Sequence, residues 1–298
     1  MQIGIRKDKA MIFIKFIFLF ILLMSVILGC ARNETVIDDD RMVVAVSIVP
    51  QKAFVEAVAG DLVDVVVMIP PGSNPSNYEP SPMEMEKFSQ SSIYFTTGVA
   101  TEESNILPFT EDLSALRLVS LEKEVAKIYK ELYVSPGKRD PHIWLSPKRA
   151  SIMVDVIARE LSLLDPVHEK TYQERARVYM DELALLDRDI KRVMENVMAK
   201  KFIVFHPAYS YLADDYGLDM YALEQDGKEA TSRRLEEMID LAKAENIRVI
   251  FYQAEISSRQ AESFAEEIDG QTMMLAPLAY DYVENYREMI GLMAEVMQ

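Results

Sequence analysis

The chain has 298 residues, 50% hydrophobic and 27% charged, with 32 Lys+Arg against 48 Asp+Glu for a formal net charge of −16. That is a globular composition, and its acidity argues against a nucleic-acid binder, because phosphate backbones select basic surfaces. A single cysteine excludes a disulfide framework and any CxxC metal or redox motif, and three histidines limit what imidazole chemistry the chain can carry.

Residues 1–29 read as a signal peptide. Arg6, Lys7 and Lys9 make a basic start, and an apolar run from Phe16 to Leu28 follows, broken only by Ser25. The run is short for a spanning helix, which needs roughly 20 apolar residues. It ends in Leu28-Gly29-Cys30, which resembles a bacterial lipoprotein lipobox. By that resemblance Cys30 becomes the lipidated first residue of the mature protein; the other reading is an uncleaved anchor helix. Both export the protein and tether it to a membrane. Without residues 1–29 the chain has 28 basic and 47 acidic residues, a net charge of −19. Such a surface attracts cations. Residues 30–41, with Glu34 and Asp38-Asp39-Asp40, are polar and aperiodic and read as a flexible tether.

Residues 42–166 read as a first α/β lobe. Val43–Val49 is a β-branched run ending at Pro50, Gln51–Ala59 has helical apolar spacing, and Val63–Ile69 is a second buried strand. Pro70 to Pro82 holds too many prolines and turn formers for any regular element. Ser81 then caps a short helix beginning at Pro82. Ile93–Thr97 and Leu116–Ser120 read as further strands, and Pro147–Leu164 as a helix. Strands separated by helices imply a parallel sheet, whose ligands bind beyond the carboxyl ends of the strands. The Pro70–Pro82 loop leaves such an end.

Residues 167–198 read as one long helix with an apolar seam through Tyr172, Ala176, Tyr179, Leu183, Leu186, Ile190, Val193 and Val197. At ~1.5 Å per residue it exceeds ~40 Å, longer than one domain usually needs. It is read as a rigid backbone joining two lobes, since α/β alternation restarts after it. Residues 199–298 form the second lobe, with strands at Phe202–Phe205, Met220–Leu223, Arg248–Tyr252 and Thr272–Leu275. The fold class is therefore α/β, two Rossmann-like lobes with parallel sheets joined by a long α-helix. No GxGxxG or GxxxxGK loop occurs, so nucleotide binding has no signature and no organic cofactor is expected.

His142 stands in Asp140-Pro141-His142-Ile143-Trp144-Leu145-Ser146-Pro147, beside the only tryptophan. His206 stands in Phe205-His206-Pro207-Ala208-Tyr209, where a buried strand ends. Each is at the mouth of a different lobe. Two imidazoles meeting across a cleft suit a transition metal such as zinc, although position alone favours a pair of satisfied polar residues at loop ends. His168, opening the long helix, reads as a solvated surface residue.

These segments resemble the metal-binding solute receptors of bacterial ABC transporters, in the zinc and manganese cluster with a long interlobe helix. Further carrying segments are Pro70-Pro71-Gly72 through Tyr78-Glu79-Pro80-Ser81-Pro82, Asp215-Tyr216-Gly217-Leu218, Gly227-Lys228-Glu229 and Ala276-Pro277-Leu278, and the resemblance covers nearly all of residues 42–298. It implies a four-ligand metal site whose second and third histidines fall on His142 and His206. The first histidine falls on Ser76 and the acidic ligand on Ala276, so two positions are degenerate. The family's histidine-rich loop is also missing, since Glu122–Lys138 holds no histidine. Glu255, on the lobe that carries His206, is the first substitute donor, followed by Glu79 on the Ser76 loop; Glu224 and Asp281 are further candidates.

The resemblance implies an extracytoplasmic, lipid-anchored, monomeric receptor that captures a divalent metal, zinc before manganese. It would deliver the metal to an ABC permease and catalyse no reaction. The alternative is a degenerate receptor of the same fold that binds another small ligand or acts as a surface interaction protein. A hydrolytic metalloenzyme finds no support, since there is no HExxH motif and no paired base beside either histidine.

Overall fold

The structure is a computed structural model that describes residues 41–225, 228–256 and 259–298. Residues 1–40, which hold the expected signal peptide, Cys30 and all but the last residue of the expected tether, lie outside the described residues.

The apolar run after Arg41 forms β1 (Met42–Val46). With β2 (Val63–Val67), β3 (Ile93–Thr96) and β4 (Arg117–Ser120) it makes a parallel sheet of order β2-β1-β3-β4. A central strand covered on both faces needs apolar residues in both phases of the pleat. Accordingly Val44 and Val46 enter the main core, while Ala45 enters a smaller cluster with Met68, Phe88, Tyr94 and Ile106. α1 (Val49–Ala59) covers the sheet. The strand therefore stops at Val46, three residues short of the expected Val49. Pro50 sits in the first helical turn, where its missing N–H costs nothing, and Gln51 Oε1 accepts the free N–H groups of Ser47 and Ile48. α2 (Pro82–Ser89) begins at the expected Ser81 cap, which accepts from Glu84 N while the Glu84 carboxylate accepts from Ser81 N.

Five short elements escape the periodicity reading. A π turn at Glu102–Ile106 runs into α3 (Leu107–Thr110), and α4 (Leu121–Ala126) follows β4. An antiparallel hairpin pairs β5 (Tyr133–Ser135) with β6 (Lys138–Arg139) through Pro136-Gly137, with Gly137 at φ 79°. All are too short to show a period.

α5 (Pro147–Leu164) leads to α6 (Glu169–Asn196), a helix of 28 residues. α6 buries Tyr172, Ala176, Leu183, Leu186, Ile190 and Met194 along one stripe and packs on α5, α1 and α10 (Tyr282–Val296). It ends two residues before the expected Met198, because Val197 is extended (ψ 140°) and buries its side chain beyond the helix end.

The second sheet comprises β7 (Lys201–Val204), β8 (Asp219–Ala222), β9 (Val249–Gln253) and β10 (Gln271–Leu275), parallel in the order β10-β9-β7-β8. Its helices are α7 (Ser210–Tyr216), α8 (Ser232–Ala244), α9 (Arg259–Glu267) and α10. Counted from its own first strand, this is the strand order of the first sheet. In each, the crossover changes direction between the first and third strands, the place where open α/β sheets bind ligands. One apolar core runs from Val44 and Phe54 through Leu186 and Ile190 to Phe202, Phe251 and Tyr286, so both sheets share it through α6. Among the described residues no helix is long and apolar enough to cross a membrane.

Candidate metal centre

His206 lies two residues beyond β7, at the direction change of the second sheet. The β7–β8 register pairs Lys201 with Asp219 and Val204 with Ala222. Continued two residues past the strand ends, it sets His206 beside Glu224, and His206 Nδ1 is 2.9 Å from Glu224 Oε2. The backbone keeps that height, since Phe205 N donates to Phe251 O and Glu224 N donates to Phe205 O.

His142 follows the β5–β6 hairpin. The fully buried Asp140 accepts at one oxygen from both the backbone N–H (2.9 Å) and Nδ1 (2.6 Å) of His142, and Pro141 stiffens the turn between them. The turn lies over the carboxyl end of β3, where Arg139 donates to Thr97 O and to Asp140 O. It is also joined to the second half of the chain. Trp144 Nε1 donates to Pro277 O (2.9 Å), and the Tyr282 and Tyr286 hydroxyls donate to Trp144 O and Leu145 O (2.6 Å each). Tyr211 donates to Asp140 O. Ser146 and the buried Arg149 both bond Asp215, and the Arg149 guanidinium stacks between Tyr129 and Tyr211.

These supports bring the two rings together. The Nε2 atoms are 3.3 Å apart, with ring planes at 80° and side chains 13% and 12% exposed. Each Nδ1 faces a carboxylate, which selects the Nδ1–H tautomer and leaves an Nε2 lone pair on each ring. Two lone pairs aimed at one point repel unless a proton or a metal ion lies between them. A proton is disfavoured there: burial lowers the His142 pKa below its ordinary value, and the neighbouring His206 lowers it further, against an opposing pull from Asp140. Two imidazole nitrogens bound to one tetrahedral zinc at ~2.0–2.1 Å would be roughly 3.3 Å apart.

The remaining expected residues are placed less uniformly. Glu224 supports the His206 ring from behind and is not the free replacement donor that the sequence allowed. Glu255 is half-buried; its Oε2 is buried with no hydrogen-bond partner among the described residues, and burial raises its pKa. Burial, reinforced by the Glu255 charge, raises the pKa of Tyr209, three residues after His206, whose hydroxyl has no partner among the described residues. Ser76 and Glu79 are exposed on the Pro70–Pro82 loop, where Ser76 N donates to Asn74 Oδ1. Ala276 offers no donor side chain, and its carbonyl accepts from Asn285. Asp281 is exposed at the start of α10. His168 is 43% exposed and pairs with Asp165, as a surface residue should. Among the described residues no group of three or more His, Cys, Asp or Glu side chains is arranged to hold a metal ion, so no carboxylate completes a three-donor set with the two histidines here. Sequence reasoning missed Asp140. The Asp-Pro-His spacing was its signal, since an Asp side chain readily bonds the backbone two residues on.

A family described as zinc-uptake complex component A, periplasmic, matches residues 44–298. A Chlamydia trachomatis serovar D protein named as metal-binding is 27% identical over 272 residues, covering 90% of this chain and 95% of its own. The manganese ABC transporter substrate-binding lipoprotein PsaA of Streptococcus mitis is 25% identical over 263 residues, 84% of this chain and 85% of its own. A crystal structure of ZnuA superposes with a TM-score of 0.80 at 32% identity, covering 87% of this chain and 100% of that one.

Proposed function

This chain belongs to the family of periplasmic zinc-uptake component A proteins, and from that premise we propose that it is the extracytoplasmic solute-binding receptor of a metal ABC importer. The observation that carries the reading is the pair of Nε2 atoms 3.3 Å apart, each ring backed by a carboxylate. That is the spacing of two ligands on one tetrahedral zinc. His142 and His206 are the protein's two imidazole ligands to the transported metal, which is zinc before manganese.

Glu255 supplies the third donor by a side-chain movement. Its buried, unpartnered oxygen supports that role, because a carboxylate taken out of water needs a cation or hydrogen-bond donor. Glu79 is the second substitute, on the loop whose Ser76 stands where the family carries a ligand; Ala276 leaves the fourth place to water. The receptor binds and hands over its cargo to a permease, catalyses no reaction and needs no organic cofactor. It acts as a monomer, held at the membrane by lipid on Cys30.

Metal analysis of protein purified without chelator tests this. Wild type should carry close to one zinc or manganese per chain, and H142A/H206A none. Metal-free wild type that takes up neither ion would support the degenerate receptor, which keeps the fold and binds something else.

A further inference from the structure

The metal reading leaves unused a second deeply buried carboxylate of the first half, Glu102. It is 1% exposed and stands on the π turn. Its two oxygens accept separate backbone N–H groups, from Thr97 (2.9 Å) and Gly98 (2.7 Å), just beyond β3. That short loop is in turn fixed to the histidine turn. Thr97 Oγ1 donates to Pro141 O (3.4 Å), and Arg139 Nη2 donates to Thr97 O (3.0 Å) while Arg139 Nη1 reaches Asp140 O (3.1 Å). Gly98 makes this approach possible: it has φ 83°, and a Cβ there would lie 1.8 Å from the Arg139 guanidinium.

The same π turn holds the Ser76 loop. Thr101 N donates to Pro75 O (3.2 Å), and Thr101 Oγ1 and Asn105 Nδ2 both donate to Tyr78 O (3.3 and 2.7 Å). One five-residue turn, with the residue before it, thus bonds the backbone on both sides of Ser76 and, through Thr97 and Gly98, the backbone on which His142 stands. π turns are rare and concentrate at functional sites.

We propose that Glu102 is a positioning residue for the histidine pair, the buckle of a strap that holds the Ser76 loop and the His142 turn in fixed relation. Two oxygens are needed. Glutamine would set an N–H₂ group against one of the two backbone N–H donors, whereas aspartate keeps both acceptors on a shorter stem. The effect on metal affinity rests on the metal reading; the mechanical coupling does not.

The test is hydrogen exchange on the intact metal-free protein, paired with zinc titration at a temperature where each variant is folded. E102Q should speed exchange roughly tenfold or more at residues 74–78 and 139–143 as well as at 97–98, leaving β7–β10 unchanged, and E102D should restore part of the protection. Zinc affinity in E102Q should fall about 10–100-fold, the range for groups that orient a ligand. Faster exchange confined to residues 97–106, or unchanged zinc affinity in folded E102Q, would overturn the proposal. A wild type that binds no zinc would remove the metal reading, and the exchange pattern alone would then decide the strap. If E102Q does not fold, T97V decides. It deletes only the Thr97 hydroxyl bond and should loosen residues 139–143, and protection equal to wild type overturns the strap.

Discussion

Each ring of the histidine pair has one nitrogen engaged by a carboxylate and the other aimed at its partner, so the chemistry of the site is set by those carboxylates as much as by the rings. Glu224 orients the His206 ring and fixes its tautomer. E224A should weaken zinc binding about 10–100-fold in a chelator-competition titration, with E224Q intermediate because its oxygen still accepts from Nδ1 without the charge. Glu102 yields a pH prediction of unusual sign. Burial, opposed by hydrogen bonds from Ser47, Thr97 and Gly98 and reinforced by Glu122, holds its carboxyl at about 7 against an ordinary 4.5. The folded chain then holds this proton more tightly than the unfolded chain. Its contribution to stability is therefore greatest below the unfolded value, declines as pH rises from about 4.5 to about 7, and is level above. The shift corresponds to on the order of 3 kcal/mol. In denaturation at pH 5 and pH 8, the stability difference between wild type and E102Q should be larger at pH 5, a comparison in which the contributions of other groups cancel. His142 acts oppositely: with its pKa lowered, stability falls as pH drops below its ordinary 6.5.

At the scale of elements, legibility followed length and burial. The sheet strands were readable mostly as short β-branched or apolar runs between breakers, and the long helix from its apolar seam. The parallel register then did something periodicity could not: it carried Glu224 to His206 across 18 residues. The π turn and the β5–β6 hairpin were not readable, being held by bonds to distant loops and not by their own pattern. The histidines were legible as a pair at two lobe mouths. Their separation was not, because it depends on Trp144, Tyr282 and Tyr286 bonding across the chain. Truncating the fully buried Leu186 on α6 to alanine should destabilise the protein by about 2–5 kcal/mol in urea melts. The loss should register at both sheets, since α6 packs on α1 from one side of the chain and α10 from the other.

For the whole molecule, one continuous core and the stitched His142–Arg149 segment argue against a receptor that opens like a hinged jaw. Parting the halves would expose the shared core and break the Arg149–Asp215 pair, which is 3% and 8% exposed. Breaking such a pair costs several kcal/mol. Thermal unfolding should accordingly be one transition by both fluorescence and far-UV circular dichroism, with no early separate melting of either half. On the proposed metal site, entry is left to smaller parts than whole halves, and the acidic surface favours the approach of cations. The proposed function stands on the two histidines forming one zinc site. Calorimetric titration of metal-free protein with zinc addresses it most directly. The expected result is one zinc per chain at micromolar affinity or tighter in wild type, and no measurable binding in H206A. Absence of heat in wild type at micromolar zinc, or undiminished binding in H206A, would contradict it.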